Sequence, residues 1–272
     1  MVFHESHEVG VIVMLTQTFE SGREKCAQYF PLDHENPSMT LEMEGSDPSL
    51  GDESPDQPDH NVVGEVTLLE TTYDEPARSE IRKLELKVGE ESKIVWHFLF
   101  SGWADFSKPE GEDCEALLEL IRSSGMKSGP DSPRVVHCSA GVGRTGTFIA
   151  LDHLLQELES GKLLDVTDPE EDPVFDTVDL MREQRMMMVY NGMQLQFIYE
   201  VLRDQTNVKL GKIPASSPRS SRGEERSAKI AKLSNDSDDT DTPHLSPGSQ
   251  QPREHALASS RSWSGPSTND ES

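Results

Sequence analysis

Residues 135–146, which read VVHCSAGVGRTG, restrict the fold more than any other part of the chain. The β-branched pair at the start predicts a short buried strand, and the glycines predict a tight loop. The residues after Arg144 have the apolar spacing of a helix. A strand that passes through a glycine loop into a helix is typical of α/β domains, so a sheet with helices packed against it is predicted.

The same loop predicts an anion site. Backbone N–H groups at the start of a helix converge on one point above Cys138, and the helix dipole favours negative charge there. Gly141 and Gly143 permit the curvature, and the planar Arg144 guanidinium can bind two phosphate oxygens. Such donors lower the pKa of a thiol, so Cys138 is predicted to be a nucleophilic thiolate beside a phosphate.

His137 immediately precedes Cys138 and raises the question of a Cys–His pair. Neighbouring side chains on a strand point to opposite faces. His137 is therefore interpreted as a hydrogen-bonding core residue rather than as a base.

Other apolar runs predict the remaining elements. Strands are predicted at residues 10–15, 25–30, 62–69, 79–88, 93–100 and 134–137, and helices at 113–123, 145–159, 175–186 and 194–206. Gly125 and Gly161 are predicted to end the first two helices. The three consecutive strands between residues 62 and 100 predict a meander. The predicted fold class is α/β, a mixed twisted sheet flanked by helices.

Two polar stretches are predicted to lie outside this core. Residues 36–60 contain seven acidic residues, four prolines and no Lys or Arg, which is the composition of a solvated loop insertion. From residue 210 onward Ser, Pro, Arg, Asp and Gly dominate without periodicity, which predicts a disordered tail. The predicted organisation is one domain over residues 1–209 and a tail over 210–272.

Charge and composition restrict the partners and the compartment. The net charge of −25 lies almost entirely in residues 1–210 and disfavours nucleic acid and anionic membranes as partners. Neither a membrane-spanning run nor a signal peptide is recognised, so a cytoplasmic protein is expected, with nuclear access left open by the basic residues between 219 and 232. Cys26, Cys114 and Cys138 lack metal-ligand spacing, which favours neither a zinc site nor a disulfide framework.

The ten residues HCSAGVGRTG resemble the signature of the cysteine-dependent, tyrosine-specific protein phosphatases. Supporting stretches follow in that family's order: VIVMLT, ESGREKCAQYFP, IRKLEL, HFLFSGWADF, and QRMMMV followed by Gln194. The similarity covers roughly residues 1–204 and is closest to fungal members. It implies hydrolysis of phosphotyrosine in proteins through a phosphocysteine intermediate, without a metal or an organic cofactor.

The resemblance implies a role for each matching residue. Cys138 would be the nucleophile, Arg144 the phosphate clamp, Asp105 the general acid and then the base, and Thr145 the hydroxyl that stabilises the thiolate. Gln194 would help to hold the phosphate or the attacking water. The loop residues Ser139, Ala140, Gly141, Val142 and Gly143 would bind the phosphate together with Arg144. Supporting roles fall to Glu20, which orients Arg144, to Lys25, which pairs with the acid loop, and to Trp103 and His137.

The sequence departs from the family pattern at three places. Ala104 replaces the proline of the acid loop, which predicts a less rigid loop. Tyr190 stands where a glutamine is expected to position water, which predicts slow or differently arranged breakdown of the intermediate. The resemblance begins inside the family domain, so a fragment or an incomplete gene model is expected, and an inactive remnant that only binds phosphate or phosphotyrosine is the alternative. Kinase-pathway proteins are plausible substrates.

Overall fold

The computed structural model describes residues 9–42, 62–129, 132–166, 168 and 170–214. All of them belong to one compact unit, Met1–Glu224. The strands are β1 (Val9–Met14), β2 (Phe19–Glu20), β3 (Arg23–Glu24), β4 (Ser38–Glu42), β5 (Val62–Asp74), β6 (Ser79–Val88), β7 (Glu91–Phe100) and β8 (Val135–His137). The helices are α1 (Glu112–Ser128), α2 (Gly143–Ser160), α3 (Pro173–Gln184) and α4 (Gly192–Lys209), and a 3₁₀ turn covers Lys162–Leu164.

Six of the strands form one mixed sheet in the order β4-β5-β6-β7-β1-β8. The pairs from β4 to β7 are antiparallel, whereas β1 runs parallel to both β7 and β8. The predicted meander and the mixed α/β class are therefore confirmed. Because β1 and β8 are parallel neighbours, their carboxyl ends open on the same edge of the sheet, where Cys138 lies.

The strand β1 lies inside the sheet, between β7 and β8, and is buried on both faces, which explains its uninterrupted apolar sequence. Val11 and Val13 pack into the core beneath the helices, where Leu117, Leu151 and Ile198 lie. Met14 alternates onto the opposite face and joins a second cluster that includes Phe30 and Leu84.

Helix boundaries follow the glycine signals in one of two places. The helix α2 ends at Gly161, which has φ 90° and the expected left-handed cap conformation. The prediction that Gly125 ends α1 is wrong, since α1 continues to Ser128 and Gly129 is its cap. The Gly125 carbonyl instead accepts the capping N–H of Gly129 at 3.2 Å.

Two strand predictions need correction. Residues 25–30 form no strand, because Lys25 and Cys26 donate their N–H groups to the Thr18 carbonyl below the β2–β3 hairpin. Within the predicted acidic loop, residues 38–42 form β4 and pair with β5. Met39 and Leu41 alternate there and pack on the second core cluster, which the acidic average of the segment conceals.

Several other predicted elements are longer in the structure than the apolar pattern indicates. The strand β5 continues past residue 69 to Asp74, because its pairing with β6 extends to the Asp74–Ser79 pair. The remainder of the acidic insertion, residues 43–60, and the part of the tail from residue 215 onward lie outside the described residues. No helix in the described ranges is long and apolar enough to cross a membrane.

Candidate active site

The loop between β8 and α2 curls around the sulfur of Cys138. Gly141 has φ 69°, a left-handed conformation that glycine adopts without strain. The backbone N–H groups of Gly141 and Thr145 and the Thr145 hydroxyl lie close enough to the sulfur to lower its pKa, and the Thr145 hydroxyl makes no other hydrogen bond in the described part of the chain. The cysteine itself is 6% exposed. The sequence Ser139 to Gly143 therefore forms a cradle of amide donors, with α2 beginning at its far end.

This environment favours the thiolate form of Cys138. Burial of the sulfur by itself raises its pKa. Hydrogen bonds from Thr145 and Gly141, together with the positive charge of Arg144, outweigh burial and lower the pKa of Cys138 below its ordinary value. The surroundings of Cys138 therefore favour the thiolate, which is the nucleophilic form of cysteine.

Arg144 is held rigidly at the floor of the cradle and is 1% exposed. Its Nη1 donates to Glu20 Oε1 at 2.6 Å and to the Trp103 carbonyl at 3.0 Å. Its Nη2 donates to Thr16 Oγ1 at 3.3 Å. Its Nε is buried and makes no hydrogen bond within the described part of the chain, which leaves a guanidinium donor for an anion.

The acid loop, defined as residues 103–107, lies over the cradle. Asp105 accepts from Lys25 Nζ at 2.7 Å through one oxygen and from Arg144 Nη2 at 3.2 Å through the other. Burial raises the pKa of Asp105, but the bond to Lys25 and the charge of Arg144 outweigh it, so the pKa lies below the ordinary aspartate value. The buried Trp103 ring anchors the loop by donating Nε1–H to the Ser107 carbonyl at 2.8 Å.

A third segment, residues 185–191, closes the side of the cradle and is called the methionine loop. A Cβ added to Gly146 of α2 would lie 2.5 Å from the Val189 backbone nitrogen, so only glycine allows this approach. The buried Gln194 accepts from the Tyr190 N–H at 3.1 Å, and its Nε2 reaches the Ser107 carbonyl at 3.5 Å. Gln194 thereby links the methionine loop to the acid loop beside the phosphate cradle.

His137 makes its hydrogen bonds with the backbone at Cys138 and with Tyr29. Its Nδ1 lies 3.1 Å from the Cys138 carbonyl oxygen, and its Nε2 lies 2.6 Å from the Tyr29 hydroxyl. That hydroxyl also contacts His97 Nε2 at 3.0 Å. Burial lowers the pKa of His97 to about 3 and also lowers the pKa of His137, so both rings are neutral near pH 7. This arrangement supports the backbone at Cys138.

The structure brings together predicted site residues from four separate segments of the chain, at positions 20–25, 103–105, 137–145 and 194. It also adds residues that the sequence reasoning missed. Thr16 is buried and donates to Glu20 Oε1 at 2.8 Å, and Arg185 donates to the Ala140 carbonyl at 3.1 Å. Thr16 follows the end of β1 by two residues, next to the strand that leads into Cys138, and this position is a usable signal. Tyr29 carries no such signal, because it lies in the run of residues 25–30 that the apolar pattern predicts as a strand.

The assembled groups can perform nucleophilic displacement at phosphorus. They comprise a thiolate, amide donors, a guanidinium and a carboxylate placed on the same side of the sheet. Within the described ranges, no cluster of three His, Cys, Asp or Glu side chains could hold a metal ion.

Comparison with known proteins places the chain in a family. Residues 1–204 match the sequence model of the protein-tyrosine phosphatases. The chain therefore belongs to the protein-tyrosine phosphatase family, as the signature at Cys138 indicates.

Individual relatives agree with this placement. The Schizosaccharomyces pombe protein named tyrosine-protein phosphatase 2 is 38% identical over 204 residues, covering 74% of this chain and 25% of the relative. The structure of a Trypanosoma brucei protein tyrosine phosphatase is 30% identical with a TM-score of 0.58, covering 74% of this chain and 62% of that one. A structure of PTPN18 in complex with HER2 phosphopeptides is 25% identical with a TM-score of 0.55, covering 72% and 62%. The chain thus spans a quarter of the yeast relative and less than two thirds of either solved chain.

Proposed function

We propose that the chain is a protein-tyrosine phosphatase that hydrolyses phosphotyrosine in proteins through a phosphocysteine intermediate. The observation that carries this proposal is the convergence of Cys138, Arg144 and Asp105. The thiol has a lowered pKa, and the carboxylate is hydrogen-bonded to the guanidinium that faces the cradle. Family membership and the solved complex of a relative with phosphopeptides support the substrate class. The proposed catalytic domain spans residues 1–209, and a cytoplasmic location stays a prediction.

In the first step the Cys138 sulfur attacks phosphorus and the bond from phosphorus to the tyrosyl oxygen breaks. Asp105 transfers its proton to that oxygen, so tyrosine leaves as a neutral phenol. The cradle amides and Arg144 stabilise the negative charge of the transferring group. Thr145 and the Gly141 N–H stabilise the sulfur, and Glu20 and Thr16 hold the guanidinium in orientation.

In the second step water attacks phosphorus and the sulfur–phosphorus bond breaks. Asp105 accepts the proton of the water, and Cys138 leaves as a thiolate. Gln194 lies against Gly143 of the cradle, since a Cβ on Gly143 would come within 3.1 Å of Gln194 Oε1. We infer that the Gln194 amide holds the phosphate or the attacking water.

We expect the 272-residue chain to release phosphate from a phosphotyrosine peptide far faster than from matched phosphoserine and phosphothreonine peptides. A phosphotyrosyl side chain is longer than a phosphoseryl or phosphothreonyl side chain, so we expect it to bring phosphorus more readily to a sulfur that is only 6% exposed. Phosphate release with a colorimetric assay measures this. A chain that binds phosphotyrosine peptide but releases no phosphate would instead support the alternative of a binding remnant.

A further inference from the structure

The acid loop and the methionine loop are joined by an exposed aromatic pair. The rings of Phe106 and Tyr190 have centroids 5.7 Å apart at an interplanar angle of 56°. Their residues are 61% and 46% exposed, so each leaves much of its apolar surface in contact with water. An aromatic pair of this kind stabilises a structure by more than the burial of its apolar surface alone would.

Two hydrogen bonds lie beside this ring pair, and both are donated to backbone carbonyls of the acid loop. Asn191 Nδ2 donates to the Phe106 carbonyl at 3.0 Å, and Gln194 Nε2 reaches the Ser107 carbonyl at 3.5 Å. The ring pair and these two bonds together are called the latch. All three contacts join the acid loop to residues 190–194.

The segment that carries Tyr190 is held in place by contacts with Gln194 and with the cradle. Its N–H is bonded to Gln194, and its Cβ would lie 3.3 Å from a Cβ placed on Gly143. Its neighbour Val189 donates its N–H to the Val142 carbonyl at 3.2 Å. The ring of Tyr190 is therefore projected from a segment packed on the cradle itself.

The acid-loop side needs such a restraint. Phe106 has φ 60°, a conformation that non-glycine residues adopt only where the surroundings impose it. Two residues earlier, Ala104 has none of the φ restriction that a proline would supply. The backbone around Asp105 is therefore held by hydrogen bonds within the loop, such as those of Trp103 and Ser107, and by contacts from neighbouring segments.

We propose that Tyr190 is a positioning residue that holds the acid loop over Cys138 by packing its ring on Phe106. It takes over the restraint that a proline at position 104 would give. This role rests on the proposed phosphatase function, because Asp105 must lie over the cradle to protonate the leaving oxygen. The aromatic ring, rather than the hydroxyl of Tyr190, makes the contact.

Hydrogen exchange of the unliganded chain tests the latch without reference to activity. We expect Tyr190→Ala to speed amide exchange at residues 104–107 by about two- to twelvefold, the effect of losing one aromatic pair. Tyr190→Phe keeps the ring and should exchange like the parent. Tyr73→Ala removes an exposed tyrosine from β5 and is the matched control, with no change at the acid loop. Unchanged exchange in Tyr190→Ala, or equally fast exchange in Tyr190→Phe, would overturn the proposal.

Kinetics with two aryl phosphates give an independent readout. Loosening the acid loop should slow phenyl phosphate, whose leaving group needs a proton, more than p-nitrophenyl phosphate, whose leaving group departs readily as an anion. We expect Tyr190→Ala to show this difference and Tyr190→Phe to lack it, while an equal loss on both substrates would contradict a positioning role. An inactive parent chain would refute the phosphatase function, yet the exchange experiment would still decide the latch.

Discussion

Cys138→Ser is expected to reduce phosphate release from a phosphotyrosine peptide to the background rate. Loss of the nucleophile in covalent hydrolases costs on the order of 10⁴-fold or more. A serine hydroxyl has a much higher pKa than a thiol, so the donors that stabilise the thiolate cannot supply an equivalent alkoxide. The cradle and Arg144 remain in this variant, and binding of phosphotyrosine peptide is expected to persist. Steady-state turnover and peptide binding by calorimetry measure the two properties separately.

The matched control for this prediction is Cys26→Ser. Cys26 is half-buried, its sulfur donates to the Ala27 carbonyl, and the pKa of its thiol is raised by burial and by the charge of Glu24. The Cys26→Ser variant should therefore lose little phosphatase activity. Iodoacetamide should label Cys138 at pH values below about 8.5, where an ordinary thiol is mostly protonated, and label Cys26 only at higher pH. A Cys138→Ser protein as active as Cys26→Ser would end the assignment of the nucleophile.

Asp105→Asn is expected to lower kcat on a phosphotyrosine peptide by about 10²- to 10⁴-fold, the usual contribution of general acid catalysis. The amide keeps the size of the side chain but is not acidic enough to transfer a proton to the leaving oxygen. Substrate binding should be retained or strengthened, because the carboxylate that competes with phosphate for Arg144 is removed. Rate measurements over a range of peptide concentrations separate kcat from KM. The exposed Asp179→Asn on α3 is the control and should behave like the parent.

The pH dependence of kcat/KM also tests the assignment of Asp105 as the general acid. The acid must be protonated and the pKa of Asp105 is lowered, so kcat/KM should fall as the pH rises above that lowered pKa. The thiolate is required as well, and its lowered pKa extends activity toward acid. The parent should therefore have an acidic optimum for kcat/KM, and Asp105→Asn should lose the decline that Asp105 produces. An unchanged decline in the variant would show that another group is the acid.

The parts of this protein that the sequence predicts well are those determined locally. The path from β8 through the cradle into α2 depends on neighbouring residues, such as the glycines that the loop requires. The capping Gly161 is local in the same way. By contrast, Gly125 carries the same type of signal but lies within α1, because helix packing and the alternative cap at Gly129 decide the boundary.

The parts that sequence reasoning misses depend on distant partners. Tyr29 bridges His97 and His137, which lie 68 and 108 residues further along the chain. The strand β4 is stable because β5 offers it an edge and the second core cluster accepts Met39, neither of which its own acidic surroundings reveal. Within the latch, the hydrogen bond from Asn191 to the Phe106 carbonyl likewise joins residues that are 85 positions apart in the sequence. The residue roles came from the family resemblance, while their mutual distances required the fold.

The central claim is that the phosphoryl group is transferred to the Cys138 sulfur before water releases it as phosphate. Rapid acid quench followed by mass spectrometry tests this claim most directly. The parent chain is mixed with excess phosphotyrosine peptide, quenched within the first turnovers and digested. We predict that the peptide containing Cys138 gains the mass of one phosphoryl group, that the peptides containing Cys26 and Cys114 do not, and that Asp105→Asn accumulates the adduct more slowly. Phosphate release at full rate with Cys138 unmodified at every quench time would contradict the mechanism.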